Sequence, residues 1–111
     1  MRNITKQASE AFYKNLSFKK NNTEVIVEED EIKLFLHGHK IAWMKNGTLF
    51  FSMCGFNTQT TRERLQAANI TIAQRNHQAV IFNIVFDENN EIVRPGSFID
   101  PKKTYYIPLE Q

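Results

Sequence analysis

Apolar and polar positions set a clear rhythm between Ile32 and Leu65. Three strand-like runs are separated by Gly38-His39 and by Asn46-Gly47, and a helical pattern follows Cys54-Gly55. Asn-Gly is a favoured two-residue hairpin turn, because both of its positions take positive φ. That turn predicts Lys45 opposite Thr48, Trp43 opposite Phe50 and Ile41 opposite Ser52. A second two-residue loop at Gly38-His39 would set Leu36 against Ile41 and Leu34 against Trp43. One sheet face then gathers Ile32, Leu34, Leu36, Ile41, Trp43 and Phe50, and the other Phe35, Ala42, Met44, Leu49, Phe51 and Met53. An antiparallel sheet wetted on one side should alternate more cleanly than this. Either helices cover both faces, or one face is offered to a partner.

The flanks are read the same way. Ile4, Ala8, Phe12 and Leu16 recur at four-residue spacing and predict a short amphipathic helix, with Lys6, Glu10 and Lys14 on its wet side. Residues 17–22 form a polar linker, and Thr23 to Glu28 alternates as an edge strand turning at Glu29-Asp30. Thr60 and Glu63 have capping-box spacing and predict a helix over 58–69, with Leu65 and Ala68 inward and Arg62 and Arg64 outward. Residues 70–93 read as a β-hairpin region turning at Asn76-His77. Pro95-Gly96 and Pro101 break the chain into an extension over 94–111, with a possible last strand from Thr104 to Leu109. The fold class predicted is α+β, one domain over 1–111. It would be a mostly antiparallel sheet of about four to six strands with the N-terminal helix and the helix near 60–68 packed on it.

Two blocks and an opening segment carry a family resemblance. Phe18, Asn22, Thr23 and Val25 fit F-x-x-x-N-T-x-V; Leu36, His37, Gly38, Ile41 and Ala42 fit L-H-G-N-x-I-A. Gly47, Leu49, Ser52, Gly55, Thr58, Thr60, Thr61, Arg64 and Leu65 fit G-x-L-x-I-S-x-x-G-W-x-T-x-T-T-K-x-R-L. His39 stands where that pattern has Asn, and Phe56 where it has Trp. The chain thus resembles a group of small phage-encoded proteins. The resemblance implies phage origin and fold; it transfers no active site. Those proteins usually end sooner, so the stretch from Ile84 onward reads as an addition.

Charge changes the picture more than composition does. The chain of 111 residues has a formal net charge of +2, too small to mark a nucleic-acid binder. The charge is blocked, however. Glu28, Glu29, Asp30 and Glu31 stand between a basic N-terminal stretch and a basic region from Lys33 to Arg75. Such a two-signed surface suits a protein partner at least as well as a phosphate backbone. The acidic run can imitate phosphate charge before a basic partner. Together with Arg62 and Arg64 it forms the candidate partner-binding set. The nucleic-acid alternative would use Lys40, Lys45, Arg62, Arg64 and Arg75, with Phe35, Trp43, Phe50 and Phe51 as a stacking platform.

Candidate chemistry is thin. His37 and His39, with Cys54 or His77, could hold zinc, but the two histidines flank a tight turn rather than sharing a strand face. Cys54 is the one cysteine, more fitting as a small buried hydrophobe than as a nucleophile. Thr58, Thr60 and Thr61, with Arg62 and Arg64, could bind an anion at a helix start, although capping accounts for most of the pattern. Apart from Glu28 to Glu31 there are no paired carboxylates, and no phosphate loop or nucleophile elbow occurs in the sequence. Neither an enzyme nor a cofactor is expected. No apolar run approaches the length of a membrane helix, so the expectation is a protein of the host cytoplasm. Elimination leaves a non-enzymatic phage accessory protein that binds and inhibits a host protein, an anti-CRISPR-like inhibitor of a defence component being the most concrete version. A homodimer is a further possibility that an apolar face would allow.

Overall fold

The first helix, α1 (Asn3–Lys14), buries Thr5, Ala8, Ala11 and Phe12. It stops where Asn15 takes a left-handed conformation and returns its N–H to the Ala11 carbonyl. Leu16 therefore lies past the helix and stays about half exposed, not on the apolar stripe that its spacing predicts. The computed structural model describes residues 2–109.

The expected four- to six-stranded sheet is not the architecture. The described residues form eleven strands in two sheets, with only two short α-helices. Five strands run consecutively: β1 (Phe18–Lys20), β2 (Thr23–Val27), β3 (Glu31–Leu36), β4 (His39–Lys45) and β5 (Thr48–Ser52). After α2 (Gln59–Leu65) and a 3-10 turn (Gln66–Ala68) come β6 (Ile72–Arg75) and β7 (Gln78–Ile81). The chain ends with β8 (Val85–Phe86), β9 (Ile92–Val93), β10 (Phe98–Ile99) and β11 (Thr104–Pro108). The larger sheet has the order β1-β2-β3-β4-β5-β11-β8-β9, and the smaller β10-β7-β6. Every pairing is antiparallel.

The extension is thus part of the sheet's interior. Strand β11 lies between β5 and β8, with Tyr105 against Phe51 and Tyr106 against Phe50. This pairing joins segments about half the chain apart, so no local pattern announces it. Residues 18–20, read as linker, form the true edge strand; β2 lies inside the sheet. The exposed Lys19 and Lys20 blunt that edge against pairing with another chain.

The Asn46-Gly47 turn sets its hairpin in the register its chemistry requires, with Lys45 opposite Thr48 and Trp43 opposite Phe50. The preceding loop is His37-Gly38, with φ of 51° and 78°, rather than Gly38-His39. Leu36 then pairs with His39, and an irregularity between Leu34 and Phe35 leaves Ile41 without a partner on β3. Beyond this bulge Leu34 faces Ala42 and Lys33 faces Trp43. A register change of one residue moves a side chain to the opposite face, so Trp43 leaves the apolar face on which the sequence reading had put it. The inner face is built from Val25, Leu34, Ala42, Phe51 and Tyr105, all buried, with Phe12 of α1 in the same core.

Helix α2 is capped by Thr58, not by Thr60. The Thr58 Oγ1 accepts the Thr61 N–H at 3.1 Å. Glu63 makes no capping box, because its carboxylate is engaged elsewhere. Thr58→Ala should cost about 1 kcal/mol, read as a lower midpoint in urea unfolding. Thr60→Ala should cost far less.

Candidate functional site

The outer face of the eight-stranded sheet carries the most distinctive surface of the molecule. Successive cross-strand partners form one row across six strands: Lys33, Trp43, Phe50, Tyr106, Phe86 and Ile92. The rings of Trp43 and Phe50 stack at 5.5 Å, 9° from parallel. Phe50 meets Tyr106 at 6.1 Å, and Tyr106 stacks on Phe86 at 5.4 Å. All four aromatics are only half-buried, and Ile92 at the end of the row is about half exposed. Strand alternation explains the contrast with their neighbours: Ala42, Phe51 and Tyr105 point to the core, and the adjacent Trp43, Phe50 and Tyr106 point away. The Tyr106 hydroxyl donates to Asn90 Oδ1 at 2.8 Å, which fixes its ring.

Charge around this row is nearly balanced. The Lys40 ammonium lies 4.4 Å from the Trp43 ring centroid, a cation–π contact, and 2.6 Å from Glu31. Lys33 pairs with Glu28 at 2.8 Å. The hydrogen bond to Glu28, with the field of Glu28, Glu31 and Asp30, raises the Lys33 pKa against the opposing effect of desolvation. Two members of the acidic run are therefore spent on the sheet's own lysines. Glu29 and Asp30 remain exposed at the β2–β3 turn.

The basic residues singled out from the sequence do not form one patch. Arg64 is not outward; it is 1% exposed. Its guanidinium donates to Thr5 Oγ1 at 2.8 Å and contacts Glu63 Oε2 at 3.2 Å. The Thr5 hydroxyl in turn donates to Glu63, which also accepts the Arg2 backbone N–H. This chain of bonds fastens the start of α1 to α2, so Arg64 is removed from both candidate binding sets. Arg62 donates to the Asn57 backbone and side-chain oxygens and closes the loop before α2. Lys40 is paired, as described. Lys45 and Arg75 are exposed but belong to different sheets.

Glu63 gives this clamp a pH dependence. Burial opposes its charged form, but bonds from Thr5 and Arg2 and the charges of Arg64 and Arg2 outweigh it and hold the carboxyl below its ordinary value. A depressed carboxyl adds stability above its unfolded pKa and loses it as pH falls through the folded one. The thermal midpoint should therefore drop below about pH 4.3, and Glu63→Gln should flatten that part of the profile.

The remaining candidates sit apart. His37 occupies its turn near Asn22, and His39 packs against Phe56 with ring centroids 4.9 Å apart. The Cys54 thiol donates to the Lys40 carbonyl at 3.2 Å, and burial raises its pKa, which disfavours the thiolate. No three His, Cys, Asp or Glu residues among those described are grouped to hold a metal ion. No helix among the described residues is long and apolar enough to cross a membrane.

Most residues behind the phage resemblance have structural work. Gly47 and Gly55 sit at positive φ, Ser52 Oγ accepts the Cys54 N–H, Thr58 caps α2, and Arg64 and Leu65 are buried. The aromatic row owes only Trp43 and Phe50 to that stretch of chain. Tyr106 and Phe86 come from the part read as an addition, and no local signal marks them as neighbours.

A search of curated proteins and a search of solved structures each found no match. A family model described as Kyanoviridae Gp96 protein matches residues 1–103. That span is most of the chain, and it bears out the phage origin that the resemblance implied. The chain belongs to the Kyanoviridae Gp96 family of phage proteins.

Proposed function

We propose that this phage protein is a non-enzymatic accessory protein of the host cytoplasm that binds a host protein through the outer face of its eight-stranded sheet. The observation that carries the reading is the half-open row Trp43–Phe50–Tyr106–Phe86, bordered by lysines already paired with Glu28 and Glu31. Rigid Trp and Tyr rings supply contact area with little entropy to lose, and interface cores are rich in them and poor in unpaired charge. A defence component is the first class of host protein to test, as the sequence suggested.

A second reading has one observation in its favour. Stacked aromatics with Lys40 over Trp43 also resemble a platform for single-stranded nucleic acid. It is disfavoured because Lys33 and Lys40 are neutralised in place, and phosphate contacts need free cations. The two readings separate by titration. The favoured one expects no Trp43-dependent binding of a mixed-sequence single-stranded oligonucleotide at physiological salt. Tight oligonucleotide binding that weakens steeply with salt, and is lost in Trp43→Ala, would overturn it.

A further inference from the structure

A second feature lies away from the aromatic row and owes nothing to its reading. Between the His37-Gly38 turn and α2 is a cleft of about 350 Å³. Its floor is apolar: Leu36, Ile41 and Met53, all buried. His39 and Phe56 form an aromatic wall, and Thr60 lies on the rim. The size falls in the range of small-molecule sites, about 300–1,000 Å³, and an apolar pocket with a few polar groups is their usual composition.

Phe56 is held there by the backbone rather than by burial. Cys54 and Gly55 take φ of 54° and 84°, and the Phe56 N–H returns to the Met53 carbonyl at 2.9 Å. The Gly55 N–H is fixed to the Pro101 carbonyl at 2.8 Å. The turn thus keeps a large ring 48% exposed at the lip of an apolar hollow.

The lining chemistry narrows the ligand. Among the described residues no lysine, arginine or carboxylate lines the cleft, so a phosphate or carboxylate ligand would find no permanent counter-charge. An aliphatic group would fill the floor and leave the rim unused. Threonine hydroxyls and imidazoles both donate and accept hydrogen bonds, which suits a ring edge carrying both kinds of group. We propose that the cleft binds a flat, uncharged nitrogen heterocycle of nucleobase size, stacked on Phe56 with its polar edge toward Thr60 and His39. The base could arrive as a free nucleoside or on a single strand.

The test is an amide-shift titration of the full chain with adenosine and with guanosine. N-acetyl-leucinamide serves as the aliphatic control, and a short oligo-deoxyadenylate represents the strand. One of the nucleosides should give saturable shifts confined to residues 36–41 and 53–61. Phe56→Ala should weaken that binding about tenfold, the scale of one lost stacking partner, and Thr60→Val should weaken it less. Trp43→Ala should leave it unchanged, which separates the cleft from the sheet face. Tighter, salt-sensitive shifts with the oligonucleotide would assign the base to a strand; equal or weaker ones would assign it to a free nucleoside. Absence of cleft shifts with both nucleosides, equal shifts with N-acetyl-leucinamide, or undiminished binding by a folded Phe56→Ala would overturn the proposal.

Discussion

Arg64→Met is expected to cost about 3 kcal/mol, the lower end of the range for removing one partner of a buried charged pair. For a domain of this size that is a fall of roughly 10 °C in thermal midpoint. The size follows from what is left behind. Arg64 is 1% exposed, and its removal takes the donor from the Thr5 hydroxyl oxygen and leaves the Glu63 carboxylate without its main counter-charge. Methionine refills much of the volume, so the loss reports the bonds rather than a cavity. Arg62→Met, only two residues earlier, gives up bonds to Asn57 at a half-buried site and should cost about 1 kcal/mol. Thermal unfolding of the two variants side by side checks the contrast. Equal, small losses would show that α1 is not fastened to α2 through Arg64.

The second large effect is on binding. Trp43→Ala should weaken partner affinity by about 30-fold or more, the scale of an interface hot spot, and Tyr106→Ala by a comparable factor. Both side chains belong to the row, Trp43 under the Lys40 ammonium and Tyr106 between Phe50 and Phe86, each with an aromatic neighbour that positions it. Their stability cost should stay near about 1 kcal/mol each, because what is lost lies on a half-open face: stacking and a cation–π contact at Trp43, stacking and the exposed hydrogen bond to Asn90 at Tyr106. The exposed acids offer the comparison. Glu29→Lys with Asp30→Lys should slow association and change its salt dependence, with a smaller change in affinity. A Trp43→Ala protein that remains folded and binds as tightly as the wild type would exclude the row as the contact.

What the sequence disclosed depended on how local the cause was. The Asn46-Gly47 turn was legible because its two residues carry their own backbone preference, and with it came the Trp43–Phe50 pair. The neighbouring loop misled, since His37 adopts the positive φ that a non-glycine residue seldom takes. That shift moves the pairing by two residues and keeps the faces; the bulge at Ile41, which no local pattern announces, is what changes the face of Trp43 relative to Leu34. The capping box at Thr60 failed because Glu63 is claimed by Thr5 and Arg2, residues about sixty positions away. The burial of Arg64 was illegible for the same reason, and arginine is rarely found fully buried. The strand count was underestimated because β1, β8, β9 and β10 are too short for alternation to show, and the place of β11 was illegible because it enters the middle of the sheet from far along the chain. Half of the aromatic row, Tyr106 and Phe86, arrives by that non-local route.

The central claim is that the outer sheet face captures a host protein. The most direct measurement is recovery from nuclease-treated phage-host lysate by the tagged wild type and by the folded Trp43→Ala/Tyr106→Ala double variant, with bound proteins quantified by mass spectrometry. The account predicts a host protein recovered in stoichiometric amount with the wild type and absent with the double variant. Recovery unchanged by the double variant, or only nuclease-sensitive recovery with the wild type, would contradict it.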